Sequence, residues 1–264
     1  MGAVTPVPTA DRETMTAPAV ASATAPDRAG RAAELRVEER VRAALPQRDG
    51  YRVFANVAWT GRTRDHGQIS DGEADLVIAH PERGLLVVET KAGEIRRDAD
   101  GRWYAGSRML EPDPFTQAQR SLNALLHKLR ELPDRPPDFR PIAGHAVALP
   151  DVDLASAGSR LRLLGPQVNP ELVLDQEALP PDGAAVTRAA IERALDTWAA
   201  DAPGRRAPGR DAVRLLERVL GGAASLPVGP AAPVSPMLST GCHKGCDITF
   251  CSSALVRARL TSLK

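Results

Sequence analysis

Between residues 32 and 45 the apolar side chains Ala33, Val37, Val41, Ala44 and Leu45 recur at helical spacing, and Pro46 ends the run. The period then changes to two. Val53, Ala55, Val57 and Trp59 alternate with other residues over 51–59, which predicts a half-buried strand, and the polar stretch 60–72 predicts a loop. Two apolar runs, 74–79 and 85–90, flank His80-Pro81-Glu82-Arg83-Gly84, whose Pro and Gly signal a turn, so they predict an antiparallel hairpin. A shorter hairpin is predicted for 94–98 and 102–104 around Asp100-Gly101. Pro114 opens a helix that runs to about residue 132 with Ala118, Leu122, Leu125, Leu126 and Leu129 on its apolar side. Residues 142–149 and 172–174 read as strands, and 184–199 and 211–220 as helices. The order of helix, strands, helix and strand places the chain in the α/β class.

Composition adjusts this picture at both ends. Residues 1–30 are rich in Ala, Pro and Thr without an apolar period, so they predict a disordered segment. The last 40 residues hold six of the twelve serines, all three cysteines and two of the four lysines, a shift that sets 223–264 apart as a low-order tail. No apolar run is long enough to span a bilayer and none resembles a secretory signal, so no membrane partner is expected and the default location is cytoplasmic. The net charge of +1 supplies no global field for a polyanion; contact with nucleic acid would depend on a local basic patch. Only four of 34 basic residues are lysines, which makes Lys91, the first in the chain, conspicuous.

The candidate chemistry follows from register. If Ala79 faces Leu85 and Val77 faces Val87, Asp75 faces Glu89, with Cβ atoms roughly 4.5–5.5 Å apart, and Glu73 lies opposite Lys91. Period two puts Lys91 on the face of Glu89. Spacing leaves two readings open. One is a solvated strand face with a cross-strand ion pair; the other is a site where two carboxylates, retained waters and phosphate oxygens hold Mg²⁺ or Mn²⁺. The Val-, Leu- and Ile-rich strands favour interior positions, where charges need a reason.

The series Asp71-Gly-Glu-Ala-Asp75-Leu-Val-Ile, Gly84-Leu-Leu-Val-Val-Glu89-Thr-Lys91, Gly93-Glu-Ile, Gly101-Arg-Trp103-Tyr and Asp113-Pro-Phe115-Thr-Gln117-Ala resembles the nuclease-related domain (NERD) family of the PD-(D/E)XK nuclease superfamily. The resemblance covers about residues 31–180. It implies a restriction-endonuclease-like core, with a mixed central sheet flanked by helices and a small helical extension over 181–222. It implies catalytic roles for Asp75, Glu89, Lys91 and Gln117, metal ligation by Asp75, Glu89 and Glu34, and Mg²⁺-dependent hydrolysis of DNA. Similar domains often precede a superfamily-1 helicase in actinobacterial proteins, which makes a helicase a further candidate partner, and the chain itself has no Walker A run. A DNA-binding accessory module that has lost cleavage is the alternative. Glu34, Glu38 and Glu39 share the first helix, and spacing does not decide which acid approaches the metal; Gln117 could equally brace its helix.

Other residues carry weaker signals. Cys242, His243, Cys246 and Cys251 are potential zinc ligands at no standard spacing, with free thiols as the competing reading. His80, His127 and His145 are isolated. Trp59 and Trp103 suit core packing, and Trp103, at a hairpin end, could also stack on a base.

Overall fold

The computed structural model describes residues 25–62, 69–136, 139–156, 164–165 and 168–221. The predicted tail and its Cys–His group, and the first 24 residues, lie outside the described residues.

The first helix, α1 (Ala25–Ala44), begins earlier than its apolar period suggests. Its extra turns come from Ala and Arg, which favour helix without needing a buried face, with Pro26 in the first turn. Residues 25–30 are therefore helical, contrary to the expectation of disorder. Strand β1 (Arg52–Arg62) and strand β2 (Ile69–His80) form a long antiparallel pair that continues to Arg62↔Ile69. This corrects the predicted loop at both ends, because backbone pairing between extended neighbours does not require apolar alternation.

Strand β2 then turns into β3 (Gly84–Thr90), with Val77 opposite Val87 and Ala79 opposite Leu85 as the pattern requires. The ladder closes one pair further, at His80↔Gly84. Gly84 has φ 143°, and a Cβ there would stand 2.8 Å from Ile142 O, the acceptor of the Leu85 N–H. Only glycine suits both constraints.

Next come three short strands, β4 (Ile95–Arg97), β5 (Trp103–Ala105) and β6 (Arg108–Met109), which make a separate small sheet. Helix α2 (Pro114–Glu131) leads into β7 (Ala143–Ala148), which pairs parallel with β3; β8 (Val173–Leu174) pairs parallel with β7. The main sheet thus has the order β1-β2-β3-β7-β8. Its central strand β3 is buried along all seven residues, as a strand covered on both faces must be.

Alternate side chains of the sheet feed two cores. Leu76, Ile78, Leu86 and Val88 meet Val37 and Val41 of α1 together with Ile191 and Leu195 of α3 (Ala184–Ala200). Val77, Leu85 and Val87 meet Leu122, Leu125 and Leu129 of α2 and Val213 and Leu216 of α4 (Gly209–Leu220). Helices therefore cover both faces of a mixed sheet, which is the restriction-endonuclease-like arrangement. The C-terminal helices α3 and α4 contribute one to each core.

Helix α2 owes its start to Asp113, whose Oδ1 accepts from the Phe115 and Thr116 N–H groups at 3.0 Å, with Pro114 in the first turn. An Asp113→Ala variant is expected to lose about 1 kcal/mol of stability. Urea unfolding with an unchanged midpoint would show that the cap contributes nothing.

Candidate nuclease site

Asp75 and Glu89 sit on the two adjacent interior strands β2 and β3, at the end of the sheet where the ladder between those strands stops. The last pair of that ladder is Leu76↔Val88. Beyond it the Asp75 side chain takes over the role of a strand carbonyl, and its Oδ2 accepts from the Thr90 N–H at 2.6 Å. Glu89 is 1% exposed, and its Oε1 accepts from Lys91 Nζ at 2.6 Å. Lys91 is held as well by its backbone, whose N–H donates to Ala148 O at 2.9 Å. Period two along β3 is what brings Glu89 and Lys91 together.

Both carboxyls resist ionisation. Burial pushes the Asp75 pKa up to about 8, the neighbouring Glu89 charge adds to the rise, and the Thr90 N–H and Lys91 oppose it. Burial likewise raises Glu89, against the lowering effect of Lys91. Two carboxylates with one ammonium between them leave an excess of negative charge in a dry place. Glu89 Oε2 is buried without a hydrogen-bond partner, and so is Thr90 Oγ1; these are two of four such side-chain atoms among the described residues. A partner of positive charge suits that position.

The acids of α1 separate in space. Glu34 is the one whose charge bears on both Asp75 and Glu89. Glu38 is engaged with Arg42 at 2.9 Å, and Glu39 is exposed. Gln117 lies in the first turn of α2, half-buried; the largest influences on Asp75 and Glu89 come from their burial, Glu34, Glu73, Thr90 and Lys91, with Gln117 not among them. Among the described residues, no three His, Cys, Asp or Glu side chains form a ready-made metal cage. A hard dication does not require one. Mg²⁺ keeps several waters and takes one or two carboxylates plus substrate oxygens, which is the donor set Asp75 and Glu89 provide.

Three positioning residues escaped the sequence reading. Asn56 interrupts β1 opposite Asp75: its φ is 52°, and the ladder between β1 and β2 skips that pair. The signal was present as an Asn, a residue depleted in strands, amid Val53, Ala55 and Val57. Arg31 donates both to Asn56 Oδ1 and to Glu34 Oε2, the latter at 3.1 Å, and so ties α1 to this kink. Asp151 accepts from Arg36 at 2.7 Å and from the Gly93 N–H at 2.8 Å, which anchors the chain leaving Lys91. Neither long-range pair is visible in a linear pattern.

Trp103 is 4% exposed and packs against Phe115 in a third core, so the option of stacking on a base is closed to it. Trp59 lies over Gly72 and directs Nε1 to Ser121 Oγ at 3.4 Å, and Ser121 donates to Glu73 O at 3.2 Å. His80 and His145 have structural neighbours, Tyr51 and Trp198 respectively. No helix among the described residues is long and apolar enough to cross a membrane.

A helix-covered mixed sheet carries Asp75, Glu89 and Lys91 where the ladder between two interior strands stops, which is the arrangement that the resemblance to the PD-(D/E)XK superfamily implies. Comparison with family models finds that residues 29–147 match the nuclease-related domain. No curated protein and no solved structure matches the chain.

Proposed function

We propose that the chain is a nuclease that hydrolyses DNA phosphodiester bonds with Mg²⁺ or Mn²⁺ held by Asp75 and Glu89, and with Glu34 reaching the same ion through water or directly. The observation that carries this reading is the partnerless Glu89 Oε2 beside Asp75, in a site whose two acids outnumber the one ammonium.

When bound, the dication supplies Lewis-acid stabilisation of the phosphate and favours an ionised attacking water. The protein residues do the rest. Asp75 is held rigid by the Thr90 N–H, and Glu89 by Lys91, so neither carboxylate must reorganise on binding. The Lys91 ammonium faces the developing charge on the phosphate oxygens. In the reaction a water oxygen bonds to phosphorus and gives up a proton to solvent, the bond to one ester oxygen breaks, and that oxygen departs with a proton from solvent. Arg31 and Asn56 position Glu34 without touching the reacting atoms.

The test is cleavage of single- and double-stranded DNA in Mg²⁺ and in EDTA by the wild type and by Lys91→Ala. Cleavage that needs the metal and falls at least about 100-fold in the variant supports the proposal. DNA that stays intact with the wild type in Mg²⁺ and in Mn²⁺, while still being bound, points instead to an accessory binding module.

A further inference from the structure

The chain has almost equal numbers of basic and acidic residues, 34 and 33, yet they are not evenly mixed over its surface. Leu126, Arg130, Arg135, Phe139, Arg140 and Arg205 line a groove of about 620 Å³ between the end of α2, the approach to β7 and the loop that joins α3 to α4. Among the described residues no carboxylate lines it, and none of its four guanidiniums has an acidic partner within ion-pair distance. The adjacent hollow is different. There Asp134, Asp211 and Glu217 alternate with Arg135, Arg214 and Arg218, and Asp134 pairs with Arg218 at 3.5 Å.

Two of the four arginines, Arg140 and Arg205, are fixed from below. The Ile142 N–H donates to Arg206 O at 2.8 Å and the Arg206 N–H to Arg140 O at 3.1 Å, so the segments carrying Arg140 and Arg205 run side by side. Arg205 also spends one N–H on Ala143 O, at 3.3 Å, which holds its stem against the sheet. Like charges brought together on rigid backbone repel, and a ligand with several negative charges relieves them. Guanidinium is always charged and matches phosphate oxygens with two parallel N–H groups.

The groove lies at the far end of the sheet from the carboxylates. Arg140 precedes the start of β7, whereas Val147 of β7 is the partner of Glu89, and seven residues of strand at about 3.3 Å each separate them by roughly 20 Å. That distance corresponds to about six base pairs of duplex at roughly 3.4 Å per pair.

We infer that this arginine groove is a second phosphate-binding surface that holds the sugar–phosphate backbone of DNA roughly 20 Å from the point of cleavage. The inference rests on the DNA-cleaving reading of the carboxylate site, and it adds a length requirement: a substrate of fewer than about six base pairs reaches only one of the two sites.

Binding is measured in EDTA, which removes cleavage, by fluorescence anisotropy with a labelled duplex over a salt series. The wild type is compared with the triple variants Arg130→Gln/Arg140→Gln/Arg205→Gln and Arg130→Lys/Arg140→Lys/Arg205→Lys. The glutamine variant is expected to bind at least about tenfold more weakly and to lose about 0.9 of log–log salt slope per lost contact, while the lysine variant keeps most of both. All three residues are exposed, and thermal unfolding verifies that the variants fold. Wild-type affinity and slope in the glutamine variant overturn the inference. So does a wild type that binds no duplex, or one that prefers an acidic polypeptide such as polyglutamate.

Hydrolysis of bis(p-nitrophenyl) phosphate in Mg²⁺ separates the two readings, because that diester is too small to reach the groove. Its rate is expected to be unchanged in the glutamine variant and lost in Asp75→Asn. Failure of the wild type to hydrolyse it counts against the catalytic site and leaves the binding result standing by itself.

Discussion

An Asp75→Asn variant is expected to lose at least about 10³-fold in metal-dependent cleavage and to melt at a higher temperature than the wild type. The activity loss follows from replacing an anionic ligand by a neutral amide of the same shape. The gain in stability has a separate cause. Burial and the Glu89 charge raise the Asp75 pKa from 3.8 to about 8, so the folded protein without a dication keeps a proton that the unfolded chain releases near pH 4. Between those values the folded state binds more protons than the unfolded one. Stability of the metal-free wild type therefore falls as pH rises through roughly 4 to 8, and the full cost is present above that window. The amide carries no such cost, and its Oδ1 can still accept from the Thr90 N–H. One pKa unit is worth about 1.4 kcal/mol, and a domain of this size gains about 2–4 °C per kcal/mol. Melting curves of both proteins at several pH values in EDTA, then in Mg²⁺, check this. A variant that melts lower than the wild type at pH 8 in EDTA would falsify the account of Asp75 as a buried charge awaiting a cation.

The second large effect is one of packing. A Gly144→Val substitution is expected to cost about 2–4 kcal/mol, because a Cβ at Gly144 would fall 2.0 Å from Trp198 Cδ1. The indole cannot simply slide away. Its Nε1 donates to His145 O at 2.9 Å, and its ring lies against His145 with centroids 4.9 Å apart. Displacing it breaks that hydrogen bond and loosens α3 from the sheet, which disturbs the core formed by Ala146, Ile191 and Leu195. Urea unfolding of Gly144→Val, Trp198→Ala and the double variant forms a cycle in which the double is less damaged than the sum of the singles. Additive losses would mean that the two residues do not share this contact.

The two predictions differ in how far the sequence alone could have led to them. Asp75, Glu89 and Lys91 were legible because each depends on a local rule: a turn at 80–84 sets the hairpin register, and period two puts residues 89 and 91 on one face. The helix from Pro114 was equally legible, since Asp113 and Pro114 are a start signal that acts within four residues. Gly144 looked like any small residue in a strand. Nothing within ten positions announces Trp198, 54 residues later, as the side chain that fills its place.

The same division runs through the site. Of Glu34, Glu38 and Glu39, all on one helix, the sequence could not choose, because helical spacing says which residues share a face and not what that face meets. Docking of α1 onto the sheet sets Glu34 apart as the acid whose charge bears on Asp75 and Glu89, with Arg31 bonded to both Asn56 and Glu34. Likewise, the sequence left Trp103 open between core packing and stacking on a base; the third core takes it. The arginine groove needed three segments that are remote in sequence and so had no linear signal at all. By itself the sequence determined the apolar centres of the main strands, the hairpin register and the acid–acid–lysine set, since those obey rules acting over a few residues. Only the tertiary structure decided which helix acid's charge bears on them, which groups are stripped of water and where unbalanced charge collects, because burial and Coulomb interaction depend on distance in space and not along the chain.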